Sequence, residues 1–218
     1  MTYNDVNTNR ELKTYIRTSD NALAAKGYTE HSFRHAKKVA NDVGVILQKM
    51  GYDERTIELG KIAGYMHDIG NMINRSDHAH SGAMMAFNIL LRMGFPAEDV
   101  ARVVVAIGNH DEKTGIPVSE IAAALILADK SDVRRSRVRN RHKTNFDIHD
   151  RVNFATRQTE IEIDSEIKKV KLHVTIDTEI CPITDYFEIF LQRMILCRRA
   201  SEFLGWAFGL YINDVKLM

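Results

Sequence analysis

The sequence predicts a mainly α-helical fold, in which a helical bundle is followed by a small α+β extension. Up to about residue 135, apolar residues recur at steps of three and four, and a capping residue or a glycine bounds most of these segments. Beyond about residue 150 the apolar spacing changes to two, which is the period of a β-strand. We therefore expect a helical domain at residues 1–145, with an extension made of an antiparallel hairpin and a helix at residues 146–218.

Six helices are expected in the bundle. The first covers residues 7–25, and the second begins at Thr29 or Ser32 and ends near Met50, before Gly51. The other four begin at residues that are typical of a helix start, which are Asp53, Asp77, Pro96 and Ser119.

The extension combines a hairpin, a helix and a short aromatic end. Apolar residues alternate with polar ones on either side of Asp164-Ser165-Glu166, which predicts two strands joined by a turn. A helical pattern returns from Thr184 to about Leu204, and residues 206–212 could add a third strand. The apolar side of the hairpin needs a partner surface. That surface is either the helical domain or a second copy of the chain, so a homodimer is one expectation.

Composition narrows the range of functions. The chain has 218 residues, 44% hydrophobic content and a formal net charge of +1, so no bulk electrostatic attraction to nucleic acid or a membrane is expected. Only Cys181 and Cys197 are present, which favours a reducing compartment over a disulfide framework. The polar N-terminus is unlike a signal peptide, and no apolar run is long enough for a membrane span. A cytoplasmic protein is expected.

Histidines and aspartates recur at the ends or on the apolar faces of the expected helices. His67 and Asp68 stand together at the end of the third helix, just before Gly70. Asp129 lies on the apolar face of the sixth helix, where a carboxylate is costly unless it is paired or bound to a metal. The whole candidate set is His35, His67, Asp68, His80, His110 and Asp129. Helical bundles build metal sites from ligands that separate helices project inward.

Five segments in this order resemble the HD-domain superfamily of metal-dependent phosphohydrolases. They are the stretches at residues 35–39, 66–70, 80–83, 107–110 and 127–130, and the likeness covers about residues 28–135. The resemblance implies that the first histidine, the His-Asp pair and the final aspartate hold one metal ion. In this sequence those residues are His35, His67, Asp68 and Asp129.

Two further histidines imply a second metal ion. Members of the superfamily with two histidines between the pair and the final aspartate bind a second ion, which the aspartate of the pair bridges. His80 and His110 occupy those places, with Asp68 as the bridge, and His78 is an alternative to His80. Histidine and carboxylate ligands suit divalent Fe, Mn, Co, Ni or Zn.

Neighbouring residues could contact the substrate. His31 lies one helical turn before His35, where it could bind phosphate or act as an acid, or simply face solvent. Lys130 could reach a phosphate, with a solvated lysine as the alternative. Arg134, Arg137 and Arg141 would share one face if the sixth helix continued, and could receive substrate phosphates or form a solvated helix end.

The resulting expectation is a metal-dependent phosphohydrolase. Its substrate would be a phosphoester or phosphoanhydride of a nucleotide or of another small phosphorylated metabolite, and Asp68, His31 and Lys130 would be its catalytic residues. The alternatives are a di-iron oxygenase of the same superfamily and a non-catalytic, metal-stabilised module for nucleotide binding or signalling. Asn109-His110-Asp111 stands where branches that cleave cyclic dinucleotides have His-His-Glu, and Asn71 stands where many members have lysine. Both differences argue against cyclic-dinucleotide cleavage.

Overall fold

The computed structural model describes residues 1–140 and 146–218, and it shows a helical bundle that carries a small sheet at its C-terminal end. Among the described residues the helices are α1 (Tyr3–Thr8), α2 (Arg10–Ala25), α3 (Phe33–Lys49), α4 (Glu54–Met66), α5 (His78–Arg92), α6 (Ala97–Gly108), α7 (Glu120–Ser131), α8 (Ile148–Ala155) and α9 (Ile183–Phe203). The strands are β1 (Thr156–Asp164), β2 (Lys169–Ile176), β3 (Ala207–Ile212) and β4 (Val215–Lys216). The expected fold class, a mainly helical bundle with an α+β extension, is confirmed.

Several helix starts follow the expected capping chemistry. The side chains of Ser32, Asp53 and Ser119 accept hydrogen bonds from backbone N–H groups in the first turns of α3, α4 and α7. Asp77 also precedes its helix, but it has a left-handed backbone with a φ of 56°, and its side chain makes no capping hydrogen bond. Residues 7–25 form two helices rather than one, because Asn9 interrupts them with an extended backbone and caps α2.

The extension forms one four-stranded sheet in the order β1-β2-β3-β4. β1 and β2 are the expected antiparallel hairpin, and β3 is the expected third strand, which runs parallel to β2. A parallel pair needs a crossover connection, and α9 provides it. The sequence analysis did not foresee α8 or β4.

One hydrophobic core joins the bundle to the extension. Leu125 in α7, Leu172 in β2 and Phe190 in α9 belong to the same buried cluster. The hairpin therefore buries its apolar side within a single copy of the chain. A homodimer is not needed to cover the hairpin, and it remains a prediction. The division into two domains near residue 145 likewise remains a prediction.

The helices that carry the candidate site lie unusually close together where glycines stand. A side chain at Gly64 would meet the backbone of Ala40 in α3 at 2.8 Å. A side chain at Gly70 would meet the carbonyl oxygen of His78 at 2.0 Å and the amide nitrogen of Gly82 at 2.5 Å. Gly64 brings the end of α4 against α3, and Gly70 brings the 3₁₀ turn after α4, Ile69–Met72, against the start of α5. Within the described ranges no helix combines the length and the apolar character that a membrane crossing demands.

Candidate metal centre

Three helices bring four candidate ligands into one group. His35 lies on the buried face of α3, four residues before Val39, and its Nε2 atom is 3.2 Å from Nε2 of His67 at the end of α4. The same atom lies 3.5 Å from Oδ2 of Asp68 and 3.3 Å from Oδ1 of Asp129 in α7. His67 Nε2 in turn lies 3.2 Å from Asp68 Oδ2 and 3.6 Å from Asp129 Oδ1.

A second group shares His67 and Asp68 with the first. Ligand atoms of His67, Asp68 and His110 all lie within 4.8 Å of one another. The ring of His78 is packed edge-on against the ring of His110, and His78 Nε2 lies 3.6 Å from the other carboxylate oxygen of Asp68, Oδ1. Asp68 therefore directs one oxygen toward each group, as a bridging carboxylate would.

His80 does not join either group. Its side chain is 60% exposed, and its Nδ1 lies 3.9 Å from the exposed side chain of Asp77. His78, the alternative considered from the sequence, is buried and takes the place that was expected for His80. Two positions along a helix point to nearly opposite sides, so only one of these histidines can face the centre.

Each clustered histidine is held in one tautomer. In each case Nδ1 contacts an acceptor: Asp132 Oδ2 at 2.7 Å for His35, Gly64 O at 2.8 Å for His67, Arg75 O at 3.1 Å for His78 and Ile107 O at 2.6 Å for His110. Because carbonyl and carboxylate oxygens only accept hydrogen bonds, each Nδ1 must carry the proton. In the neutral form of each ring Nε2 then has a free lone pair, with which imidazole binds a metal.

The donor set fits a divalent metal. Asp68 Oδ2 and His110 Nε2 are buried and have no hydrogen-bond partner among the described residues. Leaving such atoms unpaired is costly unless a ligand satisfies them. Imidazole nitrogens and carboxylate oxygens at these separations suit Fe, Mn, Co, Ni or Zn.

The charges of the site depend on burial and on the two carboxylates. Burial alone lowers the pKa of His67, but Asp68 and Asp129 outweigh it and raise the pKa to about 10. His110, also buried and lying near His67 and Lys130, has its pKa lowered well below the usual value. Burial opposes ionisation of Asp129, yet Lys130 and the histidines lower its pKa well below that of a free aspartic acid. Both carboxylates are therefore anionic at neutral pH.

Asp132 supports the centre from behind, a role that the sequence analysis did not assign. It accepts from His35 Nδ1, and Nε of Arg134 donates to its other oxygen at 2.8 Å. Arg137 donates to the backbone carbonyl of Asp132 at 2.7 Å and to the carbonyl of Glu30 at 2.9 Å. The spacing was the signal in the sequence that could have placed Asp132 near the centre. Asp132 follows Asp129 by three residues, which is close to one helical turn.

The basic cluster differs from its prediction. α7 ends at Ser131, so Arg134 and Arg137 do not continue its face. Arg137 lines the cleft described below but is buried against Asp132, while Arg134 is not among the lining residues. Both arginines hold Asp132 instead of forming an open phosphate rim. Arg141 lies outside the described residues.

Lys130 and His31 both border the centre. Lys130 Nζ is 2.6 Å from Asp129 Oδ2, and this contact leaves Oδ1 directed at His35 and His67. The ring of His31 packs edge-on against His35. Burial, with a further contribution from nearby Arg137, lowers the pKa of His31 well below its usual value, so a neutral His31 is poorly suited to donate a proton at pH 7.

The centre opens into a cleft of about 680 Å³, a volume in the range of small-molecule sites. Asp68, His78 and Asp129 line it beside the cationic side chains of Lys130 and Arg75. The extension forms part of the wall, through the α8 and α9 residues His149, Asp150, Asn153, Phe190 and Arg193. The sequence analysis assigned no site residue to the extension.

Comparison with known proteins places this centre in a family. Residues 32–138 match the family model of the HD domain. The uncharacterized protein MJ1020 of Methanocaldococcus jannaschii is 29% identical over 203 residues, which are 82% of this chain and 77% of that protein. Ribonuclease Y of Deinococcus radiodurans is 30% identical over 127 residues, which are 56% of this chain but only 19% of that protein.

A solved structure is also similar in sequence to part of this chain. A predicted HD superfamily hydrolase from an uncultured Thermotogales bacterium is 28% identical, and the match covers 57% of this chain and 68% of that one. Its TM-score of 0.46 is too low to establish a shared overall fold. The match at residues 32–138 contains all the clustered histidines and aspartates, and through it this segment of the chain belongs to the HD-domain family.

Proposed function

We propose that this protein is a metal-dependent phosphohydrolase that acts on a nucleotide or on another small phosphorylated compound. The main support is the convergence of His35, His67, Asp68 and Asp129 beside a cleft whose lining also includes cationic side chains such as Lys130 and Arg75. Metal ions at this place would lower the pKa of a water molecule and offset the negative charge that grows on a phosphoryl group.

The protein's own residues have separate tasks in this proposal. His35, His67, Asp68 and Asp129 would hold one ion. Asp68, His78 and His110 would hold the other. Lys130 fixes Asp129 by binding the oxygen that faces away from the histidines.

Two observations favour a small phosphorylated substrate. The net charge of +1 gives little general attraction to a long nucleic acid, and the cleft has the volume of a small-molecule site. The name of Ribonuclease Y assigns RNA cleavage to that relative, which supports phosphoester chemistry in this family. The match covers too little of that protein to carry its substrate over.

Hydrolysis can be tested directly. Metal-free protein would be loaded separately with Mn, Fe, Co, Ni or Zn and incubated with nucleotides, phosphomonoesters, cyclic nucleotides and a short RNA. We expect phosphate release from at least one small substrate, with loss of turnover in Asp68→Ala and retention in Asp99→Asn, whose carboxylate pairs with Arg55 away from the cleft.

Each alternative has its own outcome in this experiment. Absence of turnover with every metal, or equal turnover in Asp68→Ala, would overturn the proposal. Oxygen consumption by the iron-loaded protein would indicate the oxygenase, and nucleotide binding without turnover would indicate a binding module. Cleavage of the RNA alone would move the substrate class to nucleic acid.

A further inference from the structure

Arg75 lies in the loop before α5, at the border of the second ligand group. Its Nη1 atom is 3.4 Å from His78 Nε2 and 3.9 Å from Asp68 Oδ1, and it donates to Asn71 Oδ1 at 3.3 Å. The side chain is 26% exposed and lines the cleft. Its cationic end therefore stands between the candidate bridging carboxylate and the open cleft.

The other buried or half-buried cations of the cleft are already paired. Lys130 binds Asp129, Arg137 binds Asp132, and Arg193 binds Glu112 at 2.5 Å. A cation that neutralises a protein carboxylate has less of its charge and fewer of its donors available for a ligand. These three residues position the walls of the site.

Arg75 differs because most of its donors are available. Among the described residues, neither its Nε nor its Nη2 has a hydrogen-bond partner, and its bond to Asn71 is long. A guanidinium offers five N–H donors in a planar fork that matches two oxygens of a phosphate. The ring of Tyr28 lies beside it on the same wall, with the centroid 6.0 Å from Cζ.

Occupation of the second ligand group would free a further donor. His78 Nε2 has one lone pair, so it cannot serve as a metal ligand and accept from Arg75 at the same time. Asp68 Oδ1, a candidate ligand of the same group, is 3.9 Å from the guanidinium. Asn71 Oδ1, at 3.3 Å, would then remain as an acceptor for one donor, and the other donors would be available to an anionic ligand in the cleft.

We propose that Arg75 binds non-bridging oxygens of the substrate's phosphoryl group and is a catalytic residue of this site. The inference rests on the proposed function, because it takes the cleft to be the place where a phosphoryl group binds. It identifies the ligand of this wall as a phosphate group held by an arginine fork.

Calorimetric titration with inorganic phosphate tests this without relying on turnover. The protein would be the full metal-loaded chain, as wild type, Arg75→Ala, Arg75→Lys and the control Arg198→Ala, which removes an exposed arginine paired with Glu202 on α9. We expect Arg75→Ala to weaken phosphate binding about 10- to 100-fold. Arg75→Lys should keep part of the affinity, because lysine retains the charge but loses the fork.

Metal content, measured on the same samples, separates ligand binding from support of His78. We expect all variants to retain the wild-type amount of metal. Loss of metal together with phosphate affinity in Arg75→Ala would overturn the proposal, because Arg75 would then only position His78. Equal phosphate affinity in wild type and Arg75→Ala, or no binding by wild type, would overturn it as well.

Failure of this inference can be distinguished from failure of the proposed function. Hydrolysis by wild type with unchanged phosphate affinity in Arg75→Ala would leave the function standing and remove the role of Arg75. Arg75-dependent phosphate binding without turnover of any phosphoester would keep Arg75 as a phosphate-binding residue but would remove the hydrolase and the catalytic role of Arg75 with it.

Discussion

Oδ2 of Asp132 lies 2.7 Å from Nδ1 of His35, and both side chains are almost completely buried. The contact fixes the His35 ring with Nε2 toward His67 and Asp129, and it places a proton on Nδ1, so that in the neutral ring Nε2 has the lone pair. Arg134 and Arg137 hold the carboxylate in place. Such a carboxylate–histidine pair raises the basicity of the ligand and orients it toward a metal.

Replacement of Asp132 should therefore weaken the first metal site without removing a ligand. We expect Asp132→Asn to reduce affinity for the tightly bound ion about 10- to 100-fold, since the amide keeps the shape but loses the negative charge. Competition with a metal-binding dye would measure the change. Asp99→Asn, which also breaks an arginine pair, should bind metal as wild type does. Equal affinity in Asp132→Asn and wild type would contradict this role.

The two histidines at the start of α5 make a matched pair for the second site. His78 is buried near Asp68, whereas His80 is exposed two residues later. We expect His78→Ala to lower the bound metal from about two ions per chain to about one, and His80→Ala to leave it unchanged. Metal analysis after dialysis would count the ions. The second site would be excluded if the wild-type protein bound only one ion. A loss of metal in His80→Ala would contradict the choice of His78 as its ligand.

Much of the bundle was readable from the sequence because large apolar residues and capping residues mark most of its helices. The face of α5 was not readable. Met84, Phe87 and Leu91 look like its buried side, yet they are 62%, 42% and 41% exposed. The first part of the helix packs through small residues such as Ala79 and Gly82, and its last turns bury Ile89 and Leu90. Residues four apart lie on the same face of a helix. His78 shares its face with buried Gly82, and His80 shares its face with exposed Met84. The face of small residues therefore identifies His78 as the histidine that points to the metal centre.

The end of α7 explains the other difference from expectation. The sequence from Ser131 to Arg139 contains no glycine or proline, so nothing in it marks a helix end. α7 nevertheless stops at Ser131, since Asp132 turns inward to meet His35. That contact joins residues far apart in the chain, and short-range patterns do not report such contacts. Arg75 and the cleft wall from α8 and α9 escaped the sequence analysis for the same reason.

Gly70 offers a test of the close approach between the turn after α4 and the start of α5. An added Cβ would lie 2.0 Å from the carbonyl oxygen of His78 and 2.5 Å from the amide nitrogen of Gly82, and neither backbone atom can move easily. We expect Gly70→Ala to lower the free energy of unfolding by about 3 kcal/mol or more. Urea denaturation of the metal-free protein would measure it.

Gly108 is the matched control for that substitution. An added Cβ there would meet only the Cβ of Ala83, at an ordinary 3.7 Å, and Gly108 ends helix α6. Gly108→Ala should leave stability unchanged or raise it by up to about 1 kcal/mol, as alanine favours helix over glycine. A loss of stability in Gly70→Ala no larger than that in Gly108→Ala would show that the turn after α4 and helix α5 are not held this closely.

The thiol of Cys197 reports on the core shared by the bundle and the extension. It is buried in α9, and burial raises its pKa to about 12. The native thiol should therefore stay unreactive toward a thiol reagent at pH 8 and become reactive in urea. An unfolded cysteine has a pKa of about 8.5, so its ionisation favours the unfolded chain as pH rises above that value.

This gives the pH dependence a definite sign. The contribution of Cys197 is present below about pH 8.5 and is lost as pH rises toward the folded pKa, by about 2 kcal/mol at pH 10. The decline in unfolding free energy between pH 8 and pH 10 should therefore be smaller in Cys197→Ala by about that amount. Rapid labelling of the native protein, or an identical decline in the variant, would show that α9 leaves the thiol accessible and that the extension does not share a closed core with the bundle.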